Sequence, residues 1–133
     1  MVTEDFVGFE AAKLLKEKGF NCLCHSYFRN NPNNLIKESC GANWNGEPFF
    51  ISRPTLQMAM KWLREVHNLN CEICYDYELR WYWQVKSLTE VLEGDYPEMK
   101  IWHPNRGEHQ DIGFNAYENA CENAIKYCLE NLI

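Results

Sequence analysis

Residues 54–68 read PTLQMAMKWLREVHN and carry the start, body and stop of an amphipathic helix. Proline is tolerated in a first helical turn because the amide it lacks would be unpaired there anyway. The helix is therefore expected to open at Ser52-Arg53-Pro54. Leu56, Ala59, Met60, Leu63 and Val66 recur at helical spacing and form one apolar stripe, with Lys61, Arg64 and Glu65 off it. Asn68 suits a left-handed stop. The chain then changes period. Leu69, Cys71, Ile73 and Tyr75 alternate with Asn70, Glu72, Cys74 and Asp76; after a turn near Tyr77-Glu78, Leu79, Trp81, Trp83 and Val85 alternate with Arg80, Tyr82, Gln84 and Lys86. A period of two in both halves predicts a β-hairpin with one buried face.

Two further helices flank this centre. The first is expected over residues 4–18, capped by Thr3, with Glu4 and Asp5 at its positive end and Gly19 as terminator. The last is expected over residues 116–132, capped by Asn115 with Glu118 three residues on, and with Tyr117, Ala120, Cys121, Ala124, Cys128, Leu129 and Leu132 as its core stripe. Residues 20–28 (FNCLCHSYF) read as a strand, and the NNPNN run from Asn30 to Asn34 as a turn. In the less patterned residues 35–51, Asn45-Gly46 suits a tight turn and Phe49, Phe50 and Ile51 a short strand. Residues 87–114 form a long polar connection, with a short turn or strand at Glu90 to Glu93 and another at Ile101-Trp102. The order α-β-(β)-α-β-β-α predicts an α+β fold with three helices on one face of a small, mainly antiparallel sheet.

The 133 residues suit a single globular domain over residues 1–133, with no linker or repeat. Thirteen basic against nineteen acidic residues give a formal charge of -6, and the basic residues are scattered. Duplex DNA binding needs clustered cations that release counterions, so this balance weighs against it. An aromatic content of 14%, with five Trp, exceeds what a core of this size needs and can furnish a binding surface. The acidic N-terminus does not resemble a secretory signal, and no run approaches the roughly 20 apolar residues that span a bilayer. With seven unevenly spaced cysteines, the expectation is a cytoplasmic protein with reduced thiols.

No residue set stands out as catalytic. Cys71 and Cys74 lie within a strand pattern, which points the two thiols to opposite faces, whereas Cys22 and Cys24 share a face next to His25. Structural cysteine is the reading preferred over a zinc site. His103, Glu108, His109 and Asp111 sit in the polar run HPNRGEHQD, whose spacing matches no helical metal motif, so a solvated loop is expected. His67, near its helix end, suits a C-cap interaction. Phosphate-loop, dinucleotide and nucleophile-elbow motifs are absent, and no cofactor or metal is expected. The binding candidates are Arg80, Tyr82, Gln84 and Lys86, on the hairpin face opposite Trp81 and Trp83, together with the loop residues Trp44 and Trp102. Arg and aromatic groups on such a face can stack on a base or grip a protein. The competing reading is that cross-strand aromatics only stabilise the sheet.

Three phrases, FEAAKLLKEKGF at residues 9–20, PTLQMAMKWLREVHN at 54–68 and AYENACENAIKYCLENLI at 116–133, fall in register with the three predicted helices. In these the chain resembles a group of short proteins encoded by gut Bacteroidales genomes and their phages or other mobile elements. The resemblance implies a small intracellular accessory protein and brings no chemistry to individual residues. The function expected is a non-enzymatic protein that binds a protein partner, inhibition of a host defence protein being one form of this. Sequestration of a small nucleotide-like or signalling ligand is the alternative, and a metal-dependent hydrolase a weaker one. An unpaired edge strand would also offer a surface for homodimerisation.

Overall fold

The computed structural model describes residues 2–87, 100–103 and 113–133. It shows an α+β fold with helices α1 (Phe9–Glu17), α2 (Leu56–Val66) and α3 (Tyr117–Asn131). The strands are β1 (Cys24–Arg29), β2 (Leu35–Ala42), β3 (Phe50–Ser52), β4 (Leu69–Asp76), β5 (Arg80–Ser87) and β6 (Ile101–Trp102). Among the described residues they form two antiparallel three-stranded sheets, ordered β2-β1-β3 and β4-β5-β6, where the sequence suggested one. The reason is local. β1 is already paired on both sides, and β4 takes its nearest partner in sequence, β5, in an unbroken register from Leu69↔Ser87 to Asp76↔Arg80.

α2 holds the expected position but starts later. Thr55 is its N-cap, its hydroxyl accepting from Met58 N at 3.1 Å, while Ser52 ends β3. Leu56, Ala59, Met60 and Leu63 are buried as the stripe required, but Val66 is 56% exposed. Trp62 is buried instead, edge-on to Phe20 at 5.5 Å and to His67 at 4.6 Å. Asn68 takes φ 56°, the left-handed stop.

α1 is shorter than residues 4–18. The backbone before it is used elsewhere: Val7 N donates to Pro54 O at 3.1 Å, Leu56 N donates to Asp5 O at 3.0 Å, and Phe6 bridges Thr55 antiparallel. Thr3 therefore caps nothing in α1. Gly8 is the N-cap, and its amide donates to the Glu122 carboxylate of α3 at 2.9 Å. At the other end Gly19, at φ 91°, returns the chain so that Phe20 N reaches Leu15 O at 2.9 Å. That turn keeps residues 20–23 out of β1. Asn45-Gly46 forms a 3-10 turn (Trp44–Gly46) rather than a hairpin. The Asn45 side chain clamps two segments, donating to Phe20 O at 2.9 Å and accepting from Ser52 N at 2.8 Å. The Lys16 ammonium donates to Glu47 O at 2.8 Å and Phe50 O at 2.6 Å, closing the same loop from the helix side.

α3 lies at the centre, touching α1, α2, β4 and β5. Ala120, Cys121, Ala124, Ile125, Cys128 and Leu129 are all fully buried. Its N-cap is Ala116 without a side-chain bond; Asn115, expected to cap it, accepts instead from Arg80 Nη1 at 3.2 Å. Trp83 is the largest fully buried side chain; its indole N–H reaches Asn123 Oδ1 at 2.8 Å and its ring lies 4.9 Å from that of Tyr127. Among the described residues no helix is long and apolar enough to cross a membrane. The expected turn or strand at Glu90 to Glu93 lies outside the described residues.

Trp83→Ala removes this side chain from the contact of β5 with α3 and is expected to cost about 3–5 kcal/mol in equilibrium denaturation. His67 gives a pH signature. Its Nε2 is buried with no partner among the described residues, and desolvation holds its pKa below the ordinary imidazole value. The unfolded chain then binds the proton more readily than the folded one, so stability is full above about pH 6.5 and falls as pH drops below it. In paired melting curves from pH 8 to pH 5, His67→Phe is expected to show a smaller acid-side loss than the wild type.

Candidate functional site

The hairpin face places its polar groups against one another. Glu72 on β4 stands opposite Gln84 and diagonal to Lys86 on β5. Its carboxylate accepts from Gln84 Nε2 at 2.7 Å, from Lys86 Nζ at 3.1 Å and from Asn70 Nδ2 at 3.5 Å. The Gln84 hydrogen bond, followed by those of Lys86 and Asn70, holds the Glu72 carboxyl below its usual pKa against the effect of partial burial. Tyr82 pairs across from Cys74 on the same strands. Arg80 sits at the hairpin tip with φ 63° and donates to Asn115. The other two candidates lie elsewhere. Trp44 stacks on Tyr27 at 4.3 Å beside the first sheet, and its indole donates to Cys24 O at 2.7 Å. Trp102, on β6, pairs with Val85 of β5 and packs against the core. The six residues therefore do not converge: Gln84 and Lys86 share one network, and Trp44 closes over the other sheet.

Three of the thiols are poorly suited to nucleophilic chemistry. Cys24 and Cys121 are each pushed up to about 11, chiefly by burial. Cys71 lies 3.8 Å from Cys128, sulfur to sulfur, and this contact together with burial raises its pKa strongly. Each favours the protonated, unreactive thiol. Among the described residues no group of three or more His, Cys, Asp or Glu gathers to hold a metal. His103 is exposed, while Glu108, His109 and Asp111 lie outside the described residues.

A cleft lies where the N-terminal segment, the entry to β1 and the start of α2 meet. Glu4, Phe6, Leu23, Cys24, His25, Arg53, Pro54, Thr55 and Met58 line about 260 Å³. Its construction follows from the strap of residues 5–7 along residues 54–56. The antiparallel bridge of Phe6 to Thr55 sets the Phe6 ring under the Arg53 guanidinium, 4.5 Å from its carbon, with Phe28 at 5.9 Å on the core side. Arg53 N donates to Ser26 O at 2.9 Å and its Nε donates to Val7 O at 3.4 Å. The residue is thus held at its backbone amide and at Nε, while its two Nη groups have no partner among the described residues. Burial lowers the Arg53 pKa, and the nearby Glu122 carboxylate partly offsets this. Glu122 is itself raised by burial and partly restored by the Gly8 amide. Leu23 is 68% exposed and Met58 38% exposed on the wall of this cleft.

These cleft residues were not among the sequence candidates, although a signal existed. If Cys22 and Cys24 face inward together, Leu23 is sent outward, and Met58 falls off the buried stripe of α2. Each is an apolar residue on the wrong face for a core. What the sequence could not supply was that both lie beside Arg53. Comparison with protein-family models, curated proteins and solved structures finds no match. The site must therefore be read from its chemistry.

The Glu72 network makes a direct prediction. In an NMR titration the Glu72 carboxyl is expected to titrate below the ordinary glutamate value, and Gln84→Ala should move it back up, since that bond is the largest cause of the depression. No change in Gln84→Ala would mean that Lys86 and Asn70 set it.

Proposed function

We propose that this chain is a non-enzymatic binding protein that docks on a protein partner through the cleft of Arg53, Leu23 and Met58. The observation that carries the reading is an oriented, partly desolvated Arg beside two exposed apolar side chains. Arg, Met and aromatic groups are the residue types enriched in interfaces, and a fixed guanidinium loses little entropy on binding. The protonated thiols and the internally bonded hairpin face support binding over chemistry. Two observations favour a protein over a small ligand. The cleft, at about 260 Å³, falls below the ~300–1,000 Å³ usual for small-molecule pockets, and exposed Leu23 makes its wall an outward surface. Inhibition of a host defence protein is one concrete form of this reading.

The test compares wild type with the double variant Leu23→Glu, Met58→Glu in affinity capture from the native host. Both positions are exposed, so the fold is expected to hold within about 0.5 kcal/mol per site. A partner retained by wild type and lost by the variant supports the reading. A partner retained equally by both places docking elsewhere, and the hairpin face would be the next surface to alter.

A further inference from the structure

Resting on docking at this cleft, we infer that it selects a partner segment in which a single carboxylate neighbours a bulky apolar side chain. The carboxylate is taken by the Arg53 fork and the apolar group by the wall of Leu23, Met58 and Phe6. Arg53 is the cation of the lining set; its Nε is already bonded to Val7 O, which leaves the Nη edge for a planar, two-oxygen acceptor. Carboxylate fits this edge in a bidentate way, and a charge-assisted bond is stronger than a neutral one. The guanidinium is held over Phe6 at 4.5 Å before any partner arrives. Its preorganisation removes part of the ordering cost of forming that pair.

The neighbouring charges limit what the partner can be. Glu122 faces Arg53 from α3, but its carboxylate is tied to the Gly8 amide. Glu4 lies in the lining set and is exposed, so the rim already carries one negative charge. The whole chain carries a formal charge of -6 and repels an acidic partner at long range. The fitting segment is therefore one Asp or Glu side chain beside Leu, Phe or Met in an otherwise neutral or basic partner. A run of acids would meet repulsion from Glu4 and from the chain as a whole. His25 is also exposed in the lining.

The test is an NMR titration of the full chain, labelled at backbone and Arg side-chain nitrogens and at Leu and Met methyls. One probe is the capped tripeptide acetyl-Leu-Asp-Phe-amide and the other its Asn counterpart, each taken into the millimolar range where so small a ligand is expected to bind. The Asp peptide should shift the Leu23 and Met58 methyls and the Arg53 Nε–H, with an affinity about tenfold above that of the Asn peptide. Arg53→Gln should remove that preference while the methyl shifts persist. Arg53→Lys, which keeps the charge and loses the fork, should retain only part of it. Equal affinity for the two peptides would overturn the carboxylate inference and leave apolar docking standing. No localised shift with either peptide would overturn docking at this cleft as well. A preference for Asp that survives Arg53→Gln would move the carboxylate site to other residues and overturn the assignment to Arg53.

Discussion

The burial of α3 is the constraint on which the rest of the structure depends. Its six fully buried residues are four small ones, Ala120, Cys121, Ala124 and Cys128, with Ile125 and Leu129 between them. Small side chains let neighbouring elements approach closely, and here α1, α2, β4 and β5 all meet the one helix. The sulfur contact of Cys71 with Cys128 and the Trp83–Asn123 hydrogen bond belong to this convergence. So does the carboxylate of Glu122, which reaches from α3 to the start of α1. A buried helix of large residues would push the four neighbours apart and lose the single core that spans Phe20, Phe28, Trp62 and Trp83.

That packing also explains why the cleft exists. Because Glu122 satisfies the amide of Gly8, α1 starts late and residues 5–7 are left to run against residues 54–56. The strap carries Phe6 under Arg53 and turns an arginine in a connecting segment into an oriented one. An arginine on a free loop would keep its rotamer entropy and its full hydration shell; held against Phe6 and Val7 O it has surrendered part of both. The hairpin resolves its charges differently. Glu72, Gln84, Lys86 and Asn70 answer one another across β4 and β5. Such a network suits a surface that stays wet and lends stability through side-chain hydrogen bonds.

The identity and order of the main elements were legible because each is announced locally. α2 has its stripe and its Asn68 stop within one short window, and the hairpin has an uninterrupted alternation of period two. Local signals misled at the helix ends, where competing partners decide. Thr3 and Asn115 are good capping residues by composition. Yet the backbone that follows Thr3 pairs with residues 54–56 through Val7 N and Asp5 O, and Asn115 meets Arg80 from the hairpin tip. Val66, expected on the buried stripe, is exposed and Trp62 is buried for a related reason: the helix meets Phe20 on the side of Trp62, a neighbour that no helical period reveals.

By itself the sequence determined the α+β class, the three helices, the hairpin and its buried Trp83, since periodicity and turn chemistry act between residues close along the chain. Only the tertiary structure decided that the strands divide into two sheets, that Gln84 and Lys86 gather on Glu72, and that Phe6, Leu23, Arg53 and Met58 meet in one cleft. Those contacts join residues many positions apart, and their geometry follows from the crowding of four elements around α3 rather than from any pattern within a single segment.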